Sequence, residues 1–273
     1  MRTLIDCHIH TERCGHASGT VDEYVHKAVE RGLYGIAMTE HLALPEDLDP
    51  HNHLSMPACD LEDYLVEVDF ARRRFPDIRV VTGLEADFLP GREAETRNAL
   101  AEARRHPDGP TVVLGSVHFI GDWAFDDPNR VSEWDSRDVD EVWRQYFDLW
   151  CRAAGSGLFD VMAHPDLVKK FGHLPSFDPA QLYADAASAV RDAGVRIEVS
   201  TAGLRKPVGE LYPGPALLRA FYRAGIGATV GSDAHEPSEV GYRLDAAYAA
   251  LATAGYDRVG FPDSAGGWME IEL

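Results

Sequence analysis

Thr3-Leu4-Ile5, then Thr20-Val21-Asp22-Glu23, then Tyr34-Gly35-Ile36-Ala37-Met38-Thr39 set the rhythm of the chain: an apolar run, a helix start and a second apolar run. Glu23 stands three residues after Thr20, the spacing of a capping box, and the helical period runs to Arg31 before Gly32. Two short strands joined by a helix make a βαβ unit, which belongs to a parallel sheet. The rhythm continues outward. Strands are expected over Ile78 to Leu84, Thr111 to Val117, Phe159 to Ala163, Val195 to Val199 and Gly227 to Val230. Helices are expected over Asp60 to Phe75, Glu93 to Arg105, Asp138 to Ala154, Asp178-Pro179 to Ala193, Gly214 to Ala224 and Tyr242 to Ala254. Val259 and Phe261 leave a weak strand, and Trp268 to Leu273 an edge strand or a lid on the barrel floor.

No Gly/Ser linker, low-complexity tract or further repeat interrupts this order, so residues 1–273 are read as one α/β domain, a TIM-like (β/α) barrel of seven or eight strands. A doubly wound sheet would carry a Gly-rich phosphate loop after an early strand, and neither such motif occurs. The net charge of −19 argues against nucleic-acid and membrane-surface partners, whose affinity rests on Lys and Arg. No run of 18 apolar residues occurs and the start shows no leader pattern, which points to a cytoplasmic protein. Cys7, Cys14, Cys59 and Cys151 form no C-x-x-C pair and are expected to be reduced.

In a (β/α) barrel, chemistry collects at the carboxyl ends of the strands. There the sequence places His8, His10 and His16 after strand one, His41 after strand two, Glu85 after three, His118 after four, His164 after five, and Asp233 and His235 after seven. His8-x-His10 puts two imidazoles on one face, and Asp233-x-His235 repeats the spacing. This is too many ligands for one tetrahedral ion, so a site of two or three metals is expected. Nitrogen and carboxylate donors without thiolate suit Zn, Fe, Mn or Ni. His51-x-His53 has ligand spacing but no strand before it, which favours a loop role; Cys7 points away from its neighbours as a packed thiol; Asp6 either orients a ligand imidazole or caps its strand.

The ordered set Asp6-Cys7-His8-Ile9-His10, Cys14-Gly15-His16, Thr39-Glu40-His41, Gly83-Leu84-Glu85, Gly115-Ser116-Val117-His118, Ala163-His164-Pro165-Asp166 and Gly231-Ser232-Asp233-Ala234-His235 resembles the polymerase and histidinol phosphatase superfamily. The resemblance implies a distorted (β/α)7 barrel with three divalent ions: one held by His8, His10, Glu85 and Asp233, a second by Glu85, His118 and His164, a third by His16, His41 and His235. The segments Asp166 to Gly172 and Thr201 to Glu210 look like the histidinol-phosphatase branch. That implies a phosphatase of histidine biosynthesis acting on the small substrate L-histidinol phosphate and releasing inorganic phosphate. Arg205 is the expected phosphate contact, because a planar fork suits two phosphate oxygens, with Lys169, Lys170 or Lys206 assisting. Metal-bound water or Asp166 would protonate the leaving group, Glu85 and Asp233 would serve the reacting centre, and Glu40, Asp87 and Glu210 are candidates for the substrate ammonium. A superfamily phosphoesterase acting on nucleotides or nucleic-acid ends would need a basic track, for which only Arg72-Arg73-Arg74 offers itself; a non-catalytic metal-binding barrel would need a missing ligand, and none is missing.

Overall fold

In a computed structural model of the chain, seven strands pair in parallel in the order in which the chain makes them. They are β1 (Ile5–Asp6), β2 (Gly35–His41), β3 (Arg79–Asp87), β4 (Val112–Ser116), β5 (Val161–Met162), β6 (Arg196–Ser200) and β7 (Ala228–Gly231). The structure describes residues 3–263 and 266–273; Met1 and Arg2, part of the start read above as leaderless, lie outside the described residues. Parallel strands are covered on both faces, and β2 is accordingly buried at every residue. The ring closes where Cys7 N donates to Val230 O at 2.8 Å and His10 N to Ala234 O at 3.0 Å.

Helices α1 (Val21–Glu30), α2 (Leu61–Arg74), α3 (Glu93–Ala103), α4 (Val139–Gly155), α5 (Ala180–Ala193), α6 (Pro215–Arg223) and α7 (Leu244–Ala254) connect the strands. Their ends follow the local chemistry expected of them. Glu23 Oε2 accepts from Thr20 N at 2.8 Å to start α1, Asp178 accepts from Ala180 N to start α5, and Gly194, at φ 71°, stops α5 in a conformation that costs a glycine little. In α4, Val142, Tyr146 and Trp150 with Trp143 and Phe147 form the apolar stripe that buries the helix against the sheet.

Two expectations change. The fifth strand is only two residues long, because Ala163 leaves the sheet to begin the bend that carries His164. The tail is both things offered for it: Trp268–Glu272 pairs antiparallel with Arg258–Pro262, and the hairpin covers the barrel floor, with Phe261 against Gly35 at the start of β2 and Trp268 over Arg196 at the start of β6. Asp6 touches no imidazole. Buried, it accepts from Ser232 N (2.7 Å), Ser232 Oγ (2.5 Å) and Gly241 N (2.7 Å), stapling β1 to the turn after β7. Deleting it would leave those buried donors unpaired at about 1–3 kcal/mol each. Among the described residues no helix is long and apolar enough to cross a membrane.

Candidate metal centre

Asp233 and His164, each just past the end of a strand, have φ of 51° and 25°. Residues with side chains avoid that region, and such strain persists only where the surroundings impose it. Both side chains turn into the barrel mouth. A Cβ at Gly231 would collide with Glu198 and His8, which explains the glycine that opens the Asp233 turn.

His8 and His10 are fully buried. Their Nε2 atoms lie 3.2 and 3.4 Å from Glu85 Oε2 and 3.8 and 3.3 Å from Asp233 Oδ1. Glu85 also approaches His41 Nδ1 (3.2 Å), His164 Nε2 (2.9 Å) and His118 Nε2 (3.8 Å). On the open side of the cluster, His16 Nε2 and His235 Nε2 are 3.1 Å apart. Their other nitrogens face backbone carbonyls: His16 Nδ1 faces Cys14 O and His53 O, and His235 Nδ1 faces Asp233 O. A carbonyl only accepts, so each Nδ1 carries the proton and the two Nε2 lone pairs point at one another. Two lone pairs at that distance repel, and a shared cation turns the repulsion into ligation.

The same bookkeeping holds deeper in. His8 Nδ1 donates to Glu198 Oε1 at 2.9 Å, which turns its Nε2 toward two carboxylates. His8 Nε2, both nitrogens of His10 and His164 Nδ1 are buried with no hydrogen-bond partner. Four triads, His8/His10/Asp233, His8/Glu85/His164, His10/His41/His235 and Cys14/His16/His235, each bring their ligand atoms within 4.8 Å of one another. The residues present therefore fit divalent ions.

Burial alone would raise the carboxyl pKa values, but His8 and His41 hold Glu85 well below the usual range, and His8 with His10 does the same for Asp233. Burial and the neighbouring His10 push His41 and His235 far down. In three imidazoles carboxylates outweigh burial: Glu198, Glu85 and Asp233 raise His8, Asp233 and Glu40 raise His10 to about 9, and Asp87 with Asp126 raises His118 to about 10. Ionised carboxylates thus sit among imidazoles that compete for protons, and bound cations would replace those protons.

Behind the ligands stand carboxylates that orient them. Glu198 holds His8 Nδ1 and accepts from His164 N at 2.9 Å. Glu40 lies 3.5 Å from His10 Nδ1 and accepts from His41 N and Thr11 N. Asp87 accepts from His118 Nδ1 at 3.0 Å. Glu40 and Asp87, considered above for the substrate ammonium, are thereby engaged. Glu198 was missed, although a charge between Ile197 and Val199 in a buried parallel strand is the signal that finds it. Cys14 was also not expected among possible ligands; its Sγ is 3.9 Å from His16 Nε2.

A cavity of about 870 Å³ opens over this cluster, and its lining also includes Phe119, Asp126, Asp127, Lys170, Phe171 and Lys206. The 42–59 loop forms another wall, held by Asp49, which accepts from His53 N, Leu54 N and Ser55 N. His51 and His53 line the mouth.

Four of the expected contacts are not among the residues that line the cavity. Arg205 does not line the cavity: its Nη2 donates to Ser232 O (3.0 Å) and Asp233 O (2.9 Å), and its Nε lies 2.8 Å from Glu239. Nη2 braces the Asp233 turn, while Nη1 is buried with no hydrogen-bond partner. Arg205→Ala is therefore expected to weaken metal affinity about 10-fold along with turnover, the size usual for groups that hold a ligand in place; metal titration of the variant checks it, and a turnover loss at unchanged metal affinity would return Arg205 to phosphate. Asp166 and Lys169 are buried against each other at 2.9 Å, with Gly214 N on Asp166 and Glu210 and Leu211 O on Lys169. Glu210 is thus paired with Lys169 and lines no part of the cavity. Arg72 and Arg73 pair with Asp69, and Arg74 with Asp22, on the outer face of the barrel.

A family model described as PHP domain matches residues 6–202. The chain is 42% identical over 248 residues to a probable histidinol-phosphatase of Deinococcus radiodurans, covering 89% of this chain and 91% of that protein. It is 27% identical to the histidinol-phosphatase of Bacillus subtilis, covering 88% and 97%. The crystal structure of histidinol phosphate phosphatase from Lactococcus lactis, complexed with zinc, L-histidinol and phosphate, shares the fold with a TM-score of 0.80 at 21% identity, over 97% of this chain and 98% of that one.

Proposed function

Because the chain belongs to the PHP domain family, we propose that it is a metal-dependent phosphatase that hydrolyses L-histidinol phosphate to L-histidinol and inorganic phosphate. The observation that carries the metal dependence is the pair of opposed imidazole lone pairs on His16 and His235, continuous with buried His8, His10 and Glu85. The identity to curated histidinol-phosphatases supports the substrate.

His8, His10, Glu85 and Asp233 would hold one ion, Glu85, His118 and His164 a second, and His16, His41 and His235 a third, with Zn, Fe, Mn and Ni all compatible with the donors. Bound there, such ions supply Lewis acidity and a deprotonated water at neutral pH. The chain's own groups do the rest. Glu85 spans the donor sets and keeps them at one spacing, and Asp233, braced by Arg205, closes the cluster toward the cavity. Lys206 lines the cavity with no ion-pair partner among the described residues, while Lys170 is tied to Asp126 at 2.9 Å. Burial and the nearby Lys170 lower the Lys206 pKa, a cost that an arriving phosphate relieves. Asp127 lines the cavity and carries the sign that an ammonium needs, and Phe119 and Phe171 give the cavity apolar walls for an imidazole ring.

Water's oxygen bonds to phosphorus as the phosphorus–oxygen bond to the alcohol breaks, and the alcohol leaves with a proton. The test is phosphate release from L-histidinol phosphate, nucleoside monophosphates and a short oligonucleotide. Release from the first at least about 100-fold faster, as kcat/KM, is expected. Turnover of the oligonucleotide alone would replace this reading with a nucleic-acid phosphoesterase.

A further inference from the structure

We infer that Tyr212 is a substrate-binding residue whose hydroxyl donates a hydrogen bond to the phosphate group; the inference rests on the phosphatase reading above. Tyr212 is fully buried and lines the cavity, yet its hydroxyl has no hydrogen-bond partner. A buried hydroxyl without a partner loses its hydration and gains nothing in return. Such groups are uncommon, and in a residue that lines a ligand cavity the missing partner can come from what enters that cavity.

The position is built with care. Tyr212 N donates to Ser200 O at 3.0 Å and Ser200 N to Tyr212 O at 2.6 Å, a two-residue bridge that pins the tyrosine to the carboxyl end of β6. Gly203 lies under the ring, where a Cβ would meet the ring edge at 2.9 Å, and Lys169 Nζ sits 5.6 Å from its centroid. The ring is thereby held in place, so a contact from its hydroxyl costs little side-chain freedom.

The hydroxyl has a proton to offer, and a cation lies near it in Arg205. Burial first, then Asp166, Asp233 and Asp126, drive the phenol pKa upward, so the group stays protonated and can donate. Lys206, unpaired, lines the same cavity, and the metal-ligand cluster lies at its base. A phosphate drawn to that cluster and to Lys206 would present oxygens that accept, as the Tyr212 hydroxyl requires. The departing alcohol offers no negatively charged acceptor.

Tyr212→Phe removes the hydroxyl and keeps the ring, so the packing against Gly203 and Lys169 survives. Inorganic phosphate is titrated calorimetrically into metal-loaded wild type and variant, with steady-state kinetics, metal content and melting temperature measured on the same samples. The expected result is phosphate binding weakened about 10-fold, KM raised by a similar factor and kcat little changed, because the contact exists in the ground state as well as the transition state. Metal content stays equal, and the melting temperature is equal or higher. Unchanged phosphate affinity, or a fall in melting temperature with phosphate binding intact, overturns the inference while leaving the phosphatase reading in place. Wild-type protein that binds no phosphate overturns both.

Discussion

Glu85→Gln is expected to lose bound metal and to turn over substrate about 10³-fold more slowly, a barrier change of about 4 kcal/mol. The substitution preserves shape and removes one charge, but that charge lies within 4 Å of five imidazoles, on His8, His10, His41, His118 and His164. A neutral amide cannot serve two cations at once as a carboxylate does, and its NH2 group meets ring nitrogens that need an acceptor or a metal. Elemental analysis of the purified variant beside its kinetics checks the expectation. Retention of the full wild-type metal complement would show that the donor sets do not depend on a shared anion.

Glu198→Gln is expected to act differently, weakening metal affinity about 10- to 100-fold while kcat at saturating metal stays within a few-fold of wild type. Glu198 reaches no cavity surface. It fixes the His8 ring through Nδ1 and the His164 backbone through N–H, and so presets two ligands on different strands. The amide can still accept from one of these but offers the other a donor. Added metal should therefore rescue the variant, and titration of activity against metal concentration separates this outcome from the Glu85 case. A variant that no metal concentration rescues would give Glu198 a part in the reaction itself.

The barrel was legible because each strand is a short apolar run closed by a residue the barrel uses, and because caps such as Thr20/Glu23 and Asp178 act through bonds between near neighbours. The convergence of His8, His10, Glu85 and Asp233 was legible for the same reason: strand ends of a barrel meet at one mouth. What stayed hidden depends on where a long side chain goes after its strand ends. Arg205 and Lys206 are adjacent in sequence and identical in charge, yet one reaches back to the Ser232 and Asp233 carbonyls and the other lines the cavity. Asp166 follows His164 by two residues, yet it is drawn under the cavity wall by Lys169 and Gly214 N. Glu198 carried a usable signal in its buried strand. Tyr212 carried none, since nothing in Leu211-Tyr212-Pro213 distinguishes a cavity tyrosine from a core one.

The most direct test of the account is a single titration: protein stripped by chelator, divalent metal added in steps, and both bound metal and phosphate release from L-histidinol phosphate measured at each step. The account predicts no turnover in the stripped protein and recovery that requires more than one equivalent, approaching three at saturation. Turnover that survives complete removal of metal, or that is complete with a single ion bound, would contradict it.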